Sequence, residues 1–418
     1  MRVLILGNGA REHALAWKFS RSRRISALFV APGNAGTAEI ATNLPEVRPT
    51  VSEDVVQACR SHRVDLVFVG PEAPLASGIV NALQQERIPV IGPPAESARL
   101  ESSKAFAKSF MARNGIPTAD HRTFTSYPDL EQYLASTKKR VVLKKSGLAA
   151  GKGVVESGDR DELLRFARQT LQEDELVVEE FLEGFETSIF VLCDGLSYRI
   201  LPPCMDYKKA HEGNTGPNTG GMGSICPVPS ITESMMDRIQ SEVVNPTMGG
   251  LEREGLLYRG VLYFGLMITS EGPKVLEYNV RFGDPETQVL LPLLQNDMAN
   301  LAEAVVTGSL SQLPLQQPDR TAVGVVIATP GYPGTYPKGL AVELNAPEED
   351  RSTFIFHAAT WRDSEGCLRT NSGRCFTVVG TGADLFEASE RAYEAVPRVQ
   401  FEGAWYRKDI GQIFPALS

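Results

Sequence analysis

Apolar residues in the first hundred positions come in short unbroken runs. Residues 3–6, 28–31, 66–69 and 89–91 are almost wholly Val, Leu, Ile, Phe and Ala. Runs of that length without polar alternation predict strands covered on both faces. Each ends in a glycine or proline turn: Gly7-Asn8-Gly9, Pro32-Gly33-Asn34-Ala35-Gly36, Gly70-Pro71-Glu72-Ala73-Pro74 and Gly92-Pro93-Pro94. After the first turn, Ala14, Leu15, Trp17 and Phe19 fall at helical spacing. Strand, turn and helix in repetition predict a doubly wound parallel sheet, an α/β unit whose ligands bind at the carboxyl ends of the strands.

The pattern then changes. A helix is expected over 103–113, stopped by Asn114-Gly115. Strands are expected at 141–144, 154–156, 176–181, 187–192 and 198–201. A glycine-rich loop covers 206–223, a helix 232–253, and two more strands 260–269 and 274–279. Asp284-Pro285-Glu286-Thr287 reads as a helix start, with a cap, a proline at the first helical position and an acid in the first turn. Residues 313–319, rich in proline and glutamine, read as a linker. Strands at 321–328, 354–358 and 375–379 and an amphipathic helix at 384–396 form a small α+β unit. The expected division is 1–100, 101–312 and 313–418.

Composition narrows the function classes. The chain has 418 residues and a net charge of −9, which argues against a nucleic-acid partner. No apolar stretch approaches the length of a membrane span, and the start does not resemble a signal peptide, so cytoplasmic residence is the expectation. The six cysteines form no C-x-x-C pair, and the five histidines show no metal spacing. Gly7-x-Gly9-x-x-Glu12 lacks the third glycine of a dinucleotide fingerprint, and its carboxylate stands where a pyrophosphate would dock. A single phosphate on the N–H groups of Asn8, Gly9 and Ala10, assisted by Arg11 and His13, is the easier expectation.

Three motifs carry the candidate chemistry. Lys144-Lys145-Ser146-Gly147-Leu148-Ala149-Ala150-Gly151-Lys152-Gly153 joins two expected strands; it is not a Walker A loop, and it reads as a flexible hairpin cover for phosphates or as a plain surface hairpin. Glycines let the backbone approach, and Lys144 reaches phosphate oxygens from the strand. Glu179-Glu180-Phe181-Leu182 closes an apolar strand of the kind against which an adenine lies, with Glu186 placed for ribose hydroxyls. Glu277 and Asn279 share one strand face and offer two oxygen ligands to Mg²⁺, with Arg281 beside them to grip an anion.

In this order the motifs resemble the ATP-grasp ligases, and closely the phosphoribosylglycinamide synthetase family. The resemblance spans essentially the whole chain. It rests most specifically on Gly7-Asn8-Gly9-Ala10-Arg11-Glu12-His13-Ala14, Gly216-Pro217-Asn218-Thr219-Gly220-Gly221-Met222-Gly223 and Arg281-Phe282-Gly283-Asp284-Pro285-Glu286-Thr287-Gln288. It implies an N-terminal substrate domain, a central ATP-grasp domain with a mobile lid near 117–187, and a small C-terminal domain. It implies ATP-dependent joining of glycine to 5-phosphoribosylamine through glycyl phosphate, with Mg²⁺ or Mn²⁺. It implies Lys144 and Arg281 as catalytic groups and Glu277 and Asn279 as metal ligands. ATP is implied on Lys104, Lys144, Gly147, Ala149, Ala150, Gly151, Gly153, Glu179, Glu180, Phe181, Leu182 and Glu186. The other substrates are implied on Asn8, Gly9, Ala10, Gly33, Asn34, Ala35, Pro71, Glu72, Asn214, Asn218, Thr219, Gly220, Gly221, Arg281 and Asp284. The remaining partner expectation is a monomer or weak homodimer. The chain departs from the family pattern at Lys145, Tyr207 and Asn214, the last standing where an aspartate is usual. A related ATP-grasp enzyme with another carboxylate, and a nucleotide-binding regulator without turnover, are the alternatives.

Overall fold

A computed structural model of the chain describes residues 1–149, 153–345 and 352–412. The N-terminal sheet has five parallel strands in the order Thr42–Asn43, Ala27–Pro32, Arg2–Gly7, Leu66–Val69, Val90–Ile91. Its unbroken apolar runs have a visible cause. Leu4 and Leu6 enter one apolar cluster while Val3 and Ile5 enter another, and Val67 and Val69 split from Leu66 and Phe68 in the same way. Both faces are covered, so no position can be polar. The edge strand Thr42–Asn43 was not expected, because two polar residues carry no apolar signal.

The middle of the chain forms two antiparallel sheets. One has the order His121–Phe124, Leu176–Glu180, Val141–Lys145, Val154–Glu156, with helices Tyr127–Ser136 and Arg160–Thr170 beside it. Its core is its own: Phe124, Leu130, Leu134, Val141, Leu143, Leu163, Ala167, Leu176 and Val178 cluster apart from the rest. The other has the order Tyr198–Ile200, Phe185–Asp194, Arg259–Ile268, Pro273–Asn279, the two central strands pairing over ten residues each.

The last large sheet is braided. Its order is Met205–Asp206, Gly223–Cys226, Thr321–Ala328, Arg374–Gly382, Thr353–His357. Two of its strands precede residue 313, so a division there in chain order is not a division between sheets. Helix Leu385–Ala395, capped by the Asp384 side chain, packs on this sheet. Residues 313–319 carry neither helix nor strand.

Three local expectations are corrected. The segment read as a loop over 206–223 is largely a bent antiparallel ladder, with Lys209–His211 paired to Thr215–Asn218. Its glycines and Pro217 hid the strand signal. The helix read over 232–253 is three pieces, Glu233–Arg238, a π-helical stretch Ile239–Val244, and Asn245–Arg253. Pro246 lacks an N–H and disturbs the preceding turn's ladder. Pro285 is the residue before helix Glu286–Leu293, not its first residue, and the Asp284 side chain does not cap it. Among the described residues no helix is long and apolar enough to cross a membrane.

Candidate active site

The carboxyl ends of the N-terminal strands, the edge of the 121–180 sheet and the braided sheet enclose one cleft of about 1070 Å³. That is at the upper end of the span usual for a small-molecule pocket. Of the residues singled out from the sequence, it is lined by Asn8, Gly9, Ala10, Glu72, Lys104, Lys144, Ala149, Gly153, Glu179, Glu180, Phe181, Leu182, Glu186, Asn214, Asn218, Thr219, Gly220, Glu277, Asn279, Arg281 and Asp284. Ala150 and Gly151 lie outside the described residues.

Lysines form one wall. Lys104 opens helix Lys104–Arg113, which the Ser103 hydroxyl caps by accepting from Phe106 N–H at 3.2 Å. One turn later Lys108 reaches the same cleft, because i and i+4 share a helix face. Lys144 comes from strand Val141–Lys145. Glu179 Oε2 holds two of them, Lys108 Nζ at 2.9 Å and Lys144 Nζ at 3.1 Å, with all three side chains nearly buried. Burial lowers Lys108 to about 8, against the pull of Glu179. Burial opposes ionisation of Glu179, yet Lys144 and Lys108 hold its carboxyl below the usual range. Two lysines share the Glu179 carboxylate, and Lys104 lines the cleft without an ion-pair contact to it.

Glu277 and Asn279 lie on strand Pro273–Asn279, and Gly265 opposite Glu277 leaves that side chain room. Burial opposes the Glu277 charge, but Lys208, Lys144, Lys104 and Arg281 hold it ionised. Arg281 Nη2 donates to Asn279 Oδ1 at 3.1 Å and pairs with Glu101 at 2.7 Å, while its Nε lies 3.3 Å from Glu72. Among the described residues no three His, Cys, Asp or Glu side chains converge as a metal cage. One carboxylate and one amide oxygen fit a hard cation that completes its shell with ligand oxygens and water.

The first turn is more self-contained than expected. Glu12 Oε2 accepts Gly9 N–H at 2.7 Å, and Glu12 Oε1 pairs with Arg11 Nε at 2.6 Å. The carboxylate therefore occupies one donor of the expected phosphate nest. Arg11 still lines the cleft. His13 does not: it accepts His357 N–H at 2.9 Å and is buried against Phe356.

Six expected residues stand behind the wall rather than in it. Asn34 is buried, and its amide donates to Asn8 O and His357 O at 2.9 Å each, tying the second turn to the first and to the C-terminal sheet. Gly33 turns at φ +81° against Asn43, and Ala35 N–H donates to Thr360 O. Pro71 precedes helix Glu72–Ala76. Gly147 N–H donates to Asp174 at 2.8 Å. Gly221, at φ +108°, packs on Pro285 and Asp206.

Residues the sequence reading missed come from both walls. Lys108 had a signal, its spacing from Lys104. Lys208, two residues beyond Asp206 on the ladder, pairs with Glu186. Arg374 Nη1 donates to Gly220 O at 2.6 Å and Asp284 O at 2.9 Å, and Tyr332 OH accepts Gly220 N–H at 2.9 Å. These two come from the last third of the chain, where no local pattern marks them. Asn214, at φ +55°, accepts from Arg407 at 3.0 Å, and Arg407 in turn pairs with Asp409 at 2.7 Å.

Family models for the phosphoribosylglycinamide synthetase N domain, ATP-grasp (A) domain and C domain match residues 1–101, 102–287 and 322–413. The phosphoribosylamine–glycine ligase of Chlorobaculum tepidum is 43% identical over 423 residues, covering 98% of this chain and 99% of that one. The crystal structure of phosphoribosylamine–glycine ligase from Thermotoga maritima is similar with a TM-score of 0.84 and 36% identity, over 98% of this chain and 100% of that one. A biotin carboxylase domain of Hydrogenobacter thermophilus 2-oxoglutarate carboxylase, solved with MgADP, ADP and bicarbonate, has a TM-score of 0.73 over 97% of this chain and 91% of that one. At 16% identity that likeness is one of fold alone. With all three domain models matched in order, the chain belongs to the phosphoribosylglycinamide synthetase family of ATP-grasp ligases.

Proposed function

We propose that this chain joins glycine to 5-phosphoribosylamine, using ATP and giving glycinamide ribonucleotide, ADP and phosphate. The observation that carries the reading is one cleft lined by Lys144, Glu277, Asn279, Arg281 and the first turn together. A glycine carboxylate oxygen attacks the γ-phosphorus of ATP, ADP leaves, and glycyl phosphate forms. The ribosylamine nitrogen then attacks the acyl carbon, the amide forms, phosphate departs and the amine proton is lost.

Two anions must meet in the first step, so cations must screen them. Lys104 and Lys144 bind the nucleotide phosphates, with Gly147, Ala149 and Gly153 beside them. Glu179, Glu180, Phe181 and Leu182 hold the adenine, and Glu186 the ribose. Glu277 and Asn279 hold Mg²⁺ or Mn²⁺, which when bound screens the phosphate charge. Arg281, braced by Glu101 and Glu72, steadies the carboxylate and the departing phosphate. The ribosylamine phosphate docks near Asn8, Gly9, Ala10 and Arg11, with Glu72 at its ribose. Asn214, Asn218, Thr219, Gly220 and Asp284 border the reacting centre. Closure of the 117–187 lid keeps water from the acyl phosphate. The partners are these small molecules, the location is the cytoplasm, and the chain acts as a monomer or weak homodimer.

The test is product formation from MgATP, glycine and freshly made phosphoribosylamine, followed as ADP and as the amide by mass. Equal yields of the two are expected. ADP formed with bicarbonate or formate, but not with glycine, overturns the assignment.

A further inference from the structure

Asp206 stands out among the cleft residues. It ends strand Met205–Asp206, lines the cavity, and its Oδ1 is buried without a hydrogen-bond partner. Glu72 and Glu101 are paired with Arg281, Asp284 with Arg374 and Glu186 with Lys208; Glu179 has a bare Oε1 too, but its Oε2 holds two lysines, and Glu277 is already given to the metal. A buried acceptor left without a donor is costly, and native sites supply the donor from somewhere. Burial, with Glu286 second, pushes the Asp206 carboxyl well above the usual range; Lys208 and Arg374 pull the other way without prevailing. The position is thus short of one positive, donor-rich group.

The surroundings define that group. Gly221, at φ +108°, abuts Oδ1, and a Cβ there would stand 2.5 Å from it. Lys208 follows two positions along the extended segment and lines the same cavity. Alternate residues of an extended chain face one way, so an acid and a base are offered side by side. A zwitterion presents their complement, an ammonium with three N–H donors and a carboxylate two bonds away.

We propose that Asp206 is the residue that recognises the ammonium group of glycine, with Lys208 on the carboxylate side, and so selects an amino acid over a plain carboxylate. The inference rests on the glycine ligase reading. On binding, Asp206 ionises against the ammonium and Oδ1 gains its partner. The reacting carboxylate is left toward Lys208 and Glu277. Formate, acetate and bicarbonate lack the cation and leave Asp206 unpaired, which is how a polar site rejects an analogue missing one group.

The experiment is steady-state ADP release by the full chain and by Asp206→Asn, varying glycine, ATP, phosphoribosylamine and Mg²⁺ in turn. Loss of one charge-assisted bond predicts a glycine KM raised roughly 10- to 100-fold, with the other three requirements within about twofold of wild type. Asp206→Glu, which keeps the charge, recovers part of the glycine KM. An unchanged glycine KM overturns the proposal, and so does a change confined to the Mg²⁺ requirement, which marks a metal ligand instead. Asp206→Ser, smaller and uncharged, is measured alongside and decides the matter if Asp206→Asn does not fold. A wild-type chain inactive with glycine refutes the ligase reading itself. An active one with unaltered glycine KM in the variants refutes only the role of Asp206.

Discussion

Two sheets face each other across the cleft, and they are built in opposite ways. The sheet of residues 121–180 comes from one continuous stretch and packs on a small apolar cluster of its own. The sheet containing Arg374–Gly382 is braided from segments before and after residue 313, and its residues belong to the two large clusters. A unit with its own core and few shared contacts opens at lower free energy than one whose strands are supplied from distant parts of the chain. The first carries Lys144 and Glu179 to the cleft; the second fixes Asp206, Arg374 and, through Tyr332, Gly220. The charge proposed to bind phosphate thus sits on the side with its own core, and the groups proposed to border the reacting centre sit on the braided side. Lys108, from helix Lys104–Arg113 outside the first sheet, ties that helix to it by a buried ion pair with Glu179.

Substitutions separate the contributions. Glu277 lies on the edge strand of the third sheet and lines the same cleft, and as the proposed metal ligand it gives the largest effect: Glu277→Ala lowers kcat on the order of 10³-fold or more. ADP release over a Mg²⁺ titration checks it; wild-type turnover at saturating Mg²⁺ would remove Glu277 from the metal site. Lys144→Ala strikes the side with its own core and lowers kcat/KM for ATP on the order of 10²- to 10³-fold, read from initial rates at varied ATP. Arg374→Ala strikes the braided side by freeing Gly220 and Asp284. It costs roughly 10- to 100-fold in kcat/KM for glycine and phosphoribosylamine and leaves ATP binding, measured by calorimetry, near wild type. If Arg374→Ala weakens ATP as much as Lys144→Ala does, the division between the sides fails.

The smallest effect is on stability. His357 closes a strand of the braided sheet against His13, and burial lowers it to about 4. Burial, then His357, lowers His13 as well. A base with a depressed folded pKa is neutral in the fold and charged in the unfolded chain at mildly acid pH. Its stabilisation is complete above about pH 6.5 and lost as pH falls toward 4, by about 2 kcal/mol between pH 7 and 5 for His357. Thermal melts over that range show the drop, and His357→Gln flattens it. Hydrogen exchange at pH 5 shows the loosening in residues 353–382 rather than in 121–180.

Much of this was legible from residues alone because local rules govern it. The parallel strands announce themselves through apolar runs, since both faces are covered, and strands 154–156 and 321–328 fall where expected. Lys144, Glu277 and Asn279, which line the cleft, were legible because each sits in or near the last residues of a strand that leads into a turn. Arg374 and Tyr332 were not found, because pairing strands far apart in sequence is what brings them to the cleft. Asn34 was placed among substrate contacts, whereas its amide holds two backbone carbonyls. A conspicuous turn residue serves architecture and ligand equally well until its hydrogen bonds are known. Glu12 taught the reverse lesson. Its carboxylate was expected to exclude a pyrophosphate, and it bonds the Gly9 N–H that such a group would need.

The central claim is that the cleft brings a carboxylate and a phosphate together as a mixed anhydride shielded from water. Glycine labelled with ¹⁸O in its carboxylate tests this directly when phosphate is recovered after turnover with ATP and phosphoribosylamine. One labelled oxygen per phosphate released is expected, because the acyl C–O bond breaks when nitrogen attacks. Unlabelled phosphate, with amide formed at the normal rate, would contradict the account.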